Sequence, residues 1–140
     1  MENNIIVYTD GGSRGNPGPA ASGVVISKNG TVIKKIGKTL GITTNNVAEY
    51  TAVIEGLQWI SKNAETIGEY NAVHFFMDSL LLCQQLKRIY KIKQPHLQSL
   101  MFKIRQLESE ITAPISYTHV RREQNKAADA MVNLALDNLL

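Results

Sequence analysis

The chain has 140 residues, near the length of one ordinary domain, and its 44% apolar and 19% charged residues exclude a disordered chain and leave a soluble globular domain with one core. Apolar runs such as Ile5-Ile6-Val7-Tyr8 are far below the roughly 18 residues of a membrane helix, and the single cysteine, Cys83, excludes an internal disulfide and a cysteine-based zinc site. With one cysteine, any metal is held mainly by oxygen or imidazole; the apolar runs are also too short for a signal-peptide core, so the expected location is the cytoplasm, and the net charge of +3 is too small to argue for a polyanionic partner.

Ile5 to Thr9 reads as a buried strand running into Asp10-Gly11-Gly12-Ser13-Arg14-Gly15-Asn16-Pro17-Gly18-Pro19, which is dense in turn residues and reads as a loop. Val24 to Ser27 and Thr31 to Ile36 flank Asn29-Gly30, the dipeptide suited to a two-residue type I′ turn, and predict an antiparallel hairpin. Lys28, Lys34, Lys35 and Lys38 make this hairpin basic, as its solvated side would be. Thr43-Thr44-Asn45-Asn46 supplies capping side chains for a largely buried helix over Val47 to Ile60.

Ala72 to Met77 predicts a fourth strand, and Asp78-Ser79 caps a short helix from Leu80 to about Ile89. Pro95 opens another helix whose Leu97, Leu100, Met101, Ile104 and Leu107 keep helical spacing. Between Asp78 and Glu108 there is no acid, while Lys87, Arg88, Lys91, Lys93, Lys103 and Arg105 fall there. Ile115 to Val120 is a fifth strand, and Asn125 caps a last helix towards Leu139. The order predicts one α/β domain over 1–140, with the later strands parallel to a neighbour and helices on both faces.

Four acids each have an ordinary explanation. Asp10 fits an Asp-Gly turn, Asp78 a helix cap, Glu49 the reciprocal partner of a capping box three residues after Asn46, and Asp129 a favourable site in a first helical turn. Together they fit something else. If the first and fourth strands are parallel neighbours, Asp10 and Asp78 emerge at one sheet edge, the side where open α/β sheets bind ligands, and the helices bearing Glu49 and Asp129 open at the same mouth. Clustered carboxylates raise one another's pKa values unless cations neutralise them, and hard divalent ions such as Mg²⁺ suit oxygen ligands with room for water and phosphate. Two such ions about 4 Å apart serve phosphodiester hydrolysis.

Over essentially its whole length the chain resembles the type 1 ribonucleases H, endonucleases that cut the RNA strand of RNA–DNA hybrids. The resemblance rests on Tyr8 to Gly18, on Thr44-Asn45-Asn46-Val47-Ala48-Glu49, on Met77-Asp78-Ser79, and on His119 to Asp129. It implies a ribonuclease H-like fold, a five-stranded mixed sheet flanked by helices. It implies that Asp10, Glu49, Asp78 and Asp129 bind two Mg²⁺ ions, with Mn²⁺ as an alternative, and that Asp10 bridges them. It also implies that His119 assists proton transfer or product release, although a half-buried histidine ending a strand accounts for it equally well.

By the same resemblance Ser13, Gly15, Asn16, Asn45 and Asn46 touch the RNA sugars and bases, where the 2′-hydroxyl distinguishes RNA from DNA. For the glycine, loop geometry is the competing explanation, and for the asparagines helix capping. Arg14, Arg121 and Arg122 are placed to meet phosphates. Some relatives carry a basic protrusion with tryptophan after the fourth strand; here that region is the short Lys87-Arg88-Ile89-Tyr90-Lys91-Ile92-Lys93-Gln94-Pro95, and Trp59 lies in the central helix. The chain therefore resembles the branch without that handle. The expected activity is hydrolysis of RNA in hybrids to 5′-phosphate and 3′-hydroxyl ends, by a monomer with no protein partner or membrane. The rivals are a non-catalytic nucleic-acid-binding module of the same fold and another nuclease of that superfamily.

Overall fold

Period-two burial builds the first strand. β1 (Asn4–Ser13) buries Ile5, Val7 and Thr9 on one face, while Tyr8 on the other stacks on Phe76 with ring centroids 5.2 Å apart. The computed structural model describes residues 3–140. β1 runs on through Ser13 rather than ending at Thr9, because the turn-like residues pair with β2 (Gly18–Lys28), Asp10 opposite Gly23 and Gly12 opposite Ala21. Pairing with neighbours outweighs the poor strand propensity of glycine and alanine here. Asn29 and Gly30, with φ of 53° and 83°, make the hairpin turn into β3 (Thr31–Thr43).

Thr44 caps α1 (Asn45–Lys62), its Oγ1 accepting from the Val47 amide at 3.3 Å, so the helix starts two residues before the predicted Val47. A short α2 (Ala64–Ile67) that the sequence pattern did not predict follows. β4 (Ala72–Met77) lies parallel to β1 with Thr9 opposite Met77. Ser79 caps α3 (Leu80–Leu86) by accepting from the Leu82 amide at 3.2 Å. The helix stops short of Ile89, and Arg88 takes a positive φ of 65° just beyond its end. α4 (Pro95–Ser109) begins at its proline. β5 (Ile115–His119) is parallel to β4 and leads through a 3₁₀ turn at Arg122–Gln124 to α5 (Lys126–Leu136), which ends short of the predicted Leu139.

The strand order is β3-β2-β1-β4-β5, the mixed sheet expected. One face carries the main core: Val7, Val24 and Phe75 meet α1 at Gly56, where a Cβ would stand 3.2–3.5 Å from their side chains. Ile104 and Leu107 of α4 extend that core, and α5 covers β2 and β3 through Ala21, Val132 and Ala135. Trp59 is half-buried against the core. The basic hairpin is only partly a solvated face. Lys28 Nζ donates to the Ile67 carbonyl at 2.5 Å, and Lys38 Nζ lies 3.7 Å from the buried Glu55, whose other oxygen accepts from the Ser22 hydroxyl.

Two of the contacts that leave no room for a side chain lie beside Asp10. A Cβ on Gly11 would fall 2.2 Å from the carbonyl carbon of Ala48 and 2.4 Å from the Glu49 nitrogen, and one on Gly23 would fall 2.2 Å from the Ala128 oxygen. Backbone cannot retreat as a flexible side chain can. Gly11→Ala is therefore expected to cost about 2–3 kcal/mol and to lower Tm by roughly 5–10 °C. Gly12→Ala, whose Cβ would meet only the Val132 side chain at 3.7 Å, should melt close to the wild type. Equal melting of the two variants would show that the first turn of α1 yields freely.

Candidate active site

Continuing the β1/β4 register one step beyond Thr9 and Met77 brings Asp10 beside Asp78, at the carboxyl ends of two parallel strands. Helix contacts supply the other acids. Gly11 admits the first turns of α1 against the strand and so sets Glu49 at the mouth, while Gly23, the cross-strand partner of Asp10, receives the Ala128 carbonyl of α5, one residue before Asp129. Asp10, Glu49, Asp78 and Asp129 line one cleft of about 390 Å³ together with Ser13 and Asn45.

The local explanations for these acids give way unevenly. Ser79 rather than Asp78 caps α3, and Thr44 rather than Asn46 caps α1, so Glu49 lies beyond the capping-box position. Asp10 does accept the bond of a local turn, from the Gly11 amide to its Oδ1 at 2.9 Å, and Asp129 does sit in the first turn of α5.

Burial, then the charges of Asp78 and Asp129, and a hydrogen bond with Asp129 push the Asp10 carboxyl up to about 8, against the opposing Gly11 amide. Burial first, and the Asp78 charge after it, also raises Glu49, while a hydrogen bond from Ser79 works the other way. An all-oxygen donor set with this excess of negative charge fits a hard divalent cation. Among the described residues no three His, Cys, Asp or Glu side chains are already gathered into a ligating group; the acids interact pairwise, Asp10 with Asp78 and Asp129, and Glu49 with Asp78.

The residues expected to touch substrate divide into three groups. Ser13 and Asn45 line the cleft and bond one another: the Ser13 amide and hydroxyl both donate to Asn45 Oδ1, at 2.8 and 3.0 Å. Asn16 and Gly15 are exposed, and Asn16 Oδ1 accepts from the Asn45 amide at 3.0 Å, tying the loop between β1 and β2 to α1. Asn46 lines a different groove, of about 200 Å³, with Leu81, Lys91 and Lys93. His119 is exposed, ends β5 opposite Met77, and is not among the residues that line the carboxylate cleft. Of the arginines, Arg14 and Arg122 line it, and Arg14 is bound to Asp137 at 2.6 Å.

Sequence reasoning missed three supporting residues. Ser79 reaches Glu49, Asn133 lies 3.4 Å from Asp129 Oδ2, and Asn125, expected as a helix cap, makes no side-chain cap bond. Its Nδ2 instead donates to the Thr9 carbonyl at 2.9 Å. No sequence signal separates an asparagine that caps a helix from one that grips a distant strand.

Residues 8–135 match the family described as "Reverse transcriptase-like". The chain is 39% identical over 135 residues to the Ribonuclease HI of Halobacterium salinarum, covering 96% of this chain and 65% of that protein. A bifunctional protein of Mycobacterium tuberculosis is 38% identical over 135 residues, 95% of this chain but only 35% of its own length, so the chain spans about a third of that relative. Among solved structures, LC11-RNase H1 in complex with an RNA/DNA hybrid superposes with a TM-score of 0.89 at 40% identity, covering 96% of this chain and 97% of that one. The RNase H1 of Halobacterium salinarum gives 0.85 at 38% identity, covering 96% and 98%.

The raised Asp10 carboxyl has a consequence for stability. Its ordinary value is 3.8 and its folded value about 8, so between these pH values the folded state holds a proton that the unfolded state has released, and metal-free stability falls as pH rises. Asp10→Asn removes this dependence. Its melting temperature in a chelator should match the wild type near pH 4 and exceed it by about 4–8 °C at pH 8. A difference that stays constant across that range would show that Asp10 is not held protonated.

Proposed function

Since the chain belongs to the reverse transcriptase-like family, in its ribonuclease H branch, we propose that the carboxylate cleft hydrolyses the RNA strand of RNA–DNA hybrids to 5′-phosphate and 3′-hydroxyl ends. The observation that carries this reading is the convergence of four acids from four elements on one cleft, with Asp10 driven towards its neutral form by burial and by the charges of Asp78 and Asp129. A site that destabilises its own negative charge is built to receive cations. Asp10, Glu49, Asp78 and Asp129 would hold two Mg²⁺ ions, with Mn²⁺ as a substitute. When bound there, the ions supply Lewis acidity, acidifying the attacking water and stabilising the leaving oxygen.

The protein's own part is placement. With Asn45 Oδ1 committed to Ser13 and its backbone N–H to Asn16 Oδ1, the side-chain Nδ2 hydrogens of Asn45 are the donors left for a ribose 2′-hydroxyl, and Asn16 and Gly15 extend that contact along the rim. Asn46, together with Lys91 and Lys93 across its groove, suits the other strand of the duplex, with exposed Lys87 and Arg88 adding to this reduced basic patch. Arg122 suits an incoming phosphate. His119, exposed at the strand end, would exchange protons with product rather than sit within the metal shell. The 1–140 chain would act as one monomeric cytoplasmic domain; among the described residues no helix is long and apolar enough to cross a membrane.

Labelled RNA–DNA, RNA–RNA and DNA–DNA duplexes, each with Mg²⁺ and with a chelator, test the reading: cleavage should be confined to RNA in the hybrid and should require metal. Asp78→Asn should cut below about 1% of the wild-type rate yet still bind hybrid through its many phosphate contacts. Near-normal turnover by that variant would remove the carboxylates from the chemistry and favour a binding module. His119→Ala should slow turnover by about 10- to 100-fold at unchanged hybrid affinity, less than a full general acid or base because metal carries most of the activation. An unchanged rate would make it a surface histidine.

A further inference from the structure

Asn125 stands between the two parts of the fold that carry Asp10 and Asp129. It is 1% exposed, and its Nδ2 donates at 2.9 Å to the carbonyl of Thr9, the residue before Asp10 and 116 positions away in the chain. Its own carbonyl accepts from the Asp129 amide at 3.2 Å. It occupies the cap position of α5 yet makes no capping bond, so the usual use of asparagine at a helix start is forgone. Among the described residues its Oδ1 is buried with no hydrogen-bond partner. Were the role only to fill space, an apolar side chain would do so without burying an unpaired oxygen.

The geometry points to Asn125 as a positioning residue that sets the separation of Asp10 and Asp129, its side chain gripping the strand that ends in one carboxylate and its main chain the turn that carries the other. The helix is then held at two points, at Thr9 through this amide and at Gly23 through the Ala128 carbonyl. A neutral amide suits the place. A carboxylate would add to the repulsion among the acids, and a lysine would put a fixed cation where an exchangeable one is needed. This inference rests on the reading of the cleft as a divalent-metal site. Without the grip, Asp129 drifts relative to Asp10, so metal affinity suffers before substrate affinity.

Asn125→Ala and the milder Asn125→Ser test this through three measurements: Mg²⁺ and Mn²⁺ binding by calorimetry, melting in a chelator to establish folding, and hybrid binding in a chelator. Both variants should bind metal about 10- to 100-fold more weakly, as is usual when an outer partner of a ligand is lost. Hybrid affinity should stay within about two-fold, and cleavage should recover at high Mg²⁺. If Asn125→Ala does not fold, Asn125→Ser carries the test. A variant that melts lower but binds metal as the wild type does would reduce Asn125 to a structural tie and overturn the inference alone. A wild-type protein that binds no Mg²⁺ would overturn the metal-site reading and this inference with it.

Discussion

The site depends on two backbone-to-backbone contacts beside Asp10. At Gly11 the strand touches the first turns of α1, and at Gly23, the residue paired with Asp10, the neighbouring strand touches α5. Each contact replaces a side chain's thickness with direct apposition, and each lies within a residue of an acid, Glu49 on one helix and Asp129 on the other. Without that proximity four carboxylates on four elements would be four ordinary surface acids.

That closeness is unfavourable by itself. The Asp10 carboxyl is raised by burial and by Asp78 and Asp129, and Glu49 by burial and Asp78. The rest of the fold holds this arrangement: a large core under Val7, Val24 and Phe75, the parallel pairing of β1 with β4, and a set of polar ties. Ser79 caps α3 so that Asp78 need not, Thr44 caps α1 so that Glu49 need not, and Asn125 fastens α5 to β1. Local structural needs are met by neutral side chains, which leaves the acids to the cleft.

Recognition and chemistry share one frame. Ser13, Asn16 and Asn45 form a chain of hydrogen bonds that ties the loop after β1 to the start of α1, the same two elements that carry Asp10 and Glu49. Under the proposed function, a sugar read by this loop would be set in register with the acids. The handle-less region between α3 and α4 lies apart from this frame, where Asn46, Lys91 and Lys93 line a separate groove.

The amino-acid sequence by itself determined the five strands, the four longer helices and their order, because period-two and helical burial patterns and the Asn29-Gly30 turn are local signals, whereas the short α2 carried none. It also determined which acids to consider, since the four motifs of a ribonuclease H are contiguous in the chain. Tertiary structure alone decided the rest. Gly11 to Ser13 read as loop because glycine has little strand propensity, but pairing with β2 made them strand. Asn46 and Asn125 read as caps because asparagine suits that role, but Thr44 took the first cap, and the buried Thr9 carbonyl took the second amide. Lys28 and Lys38 of the hairpin read as solvated, but Ile67 and Glu55 lay within their reach. A side chain's partner across 39 or 116 positions depends on how strands and helices stack, and no local pattern encodes that distance.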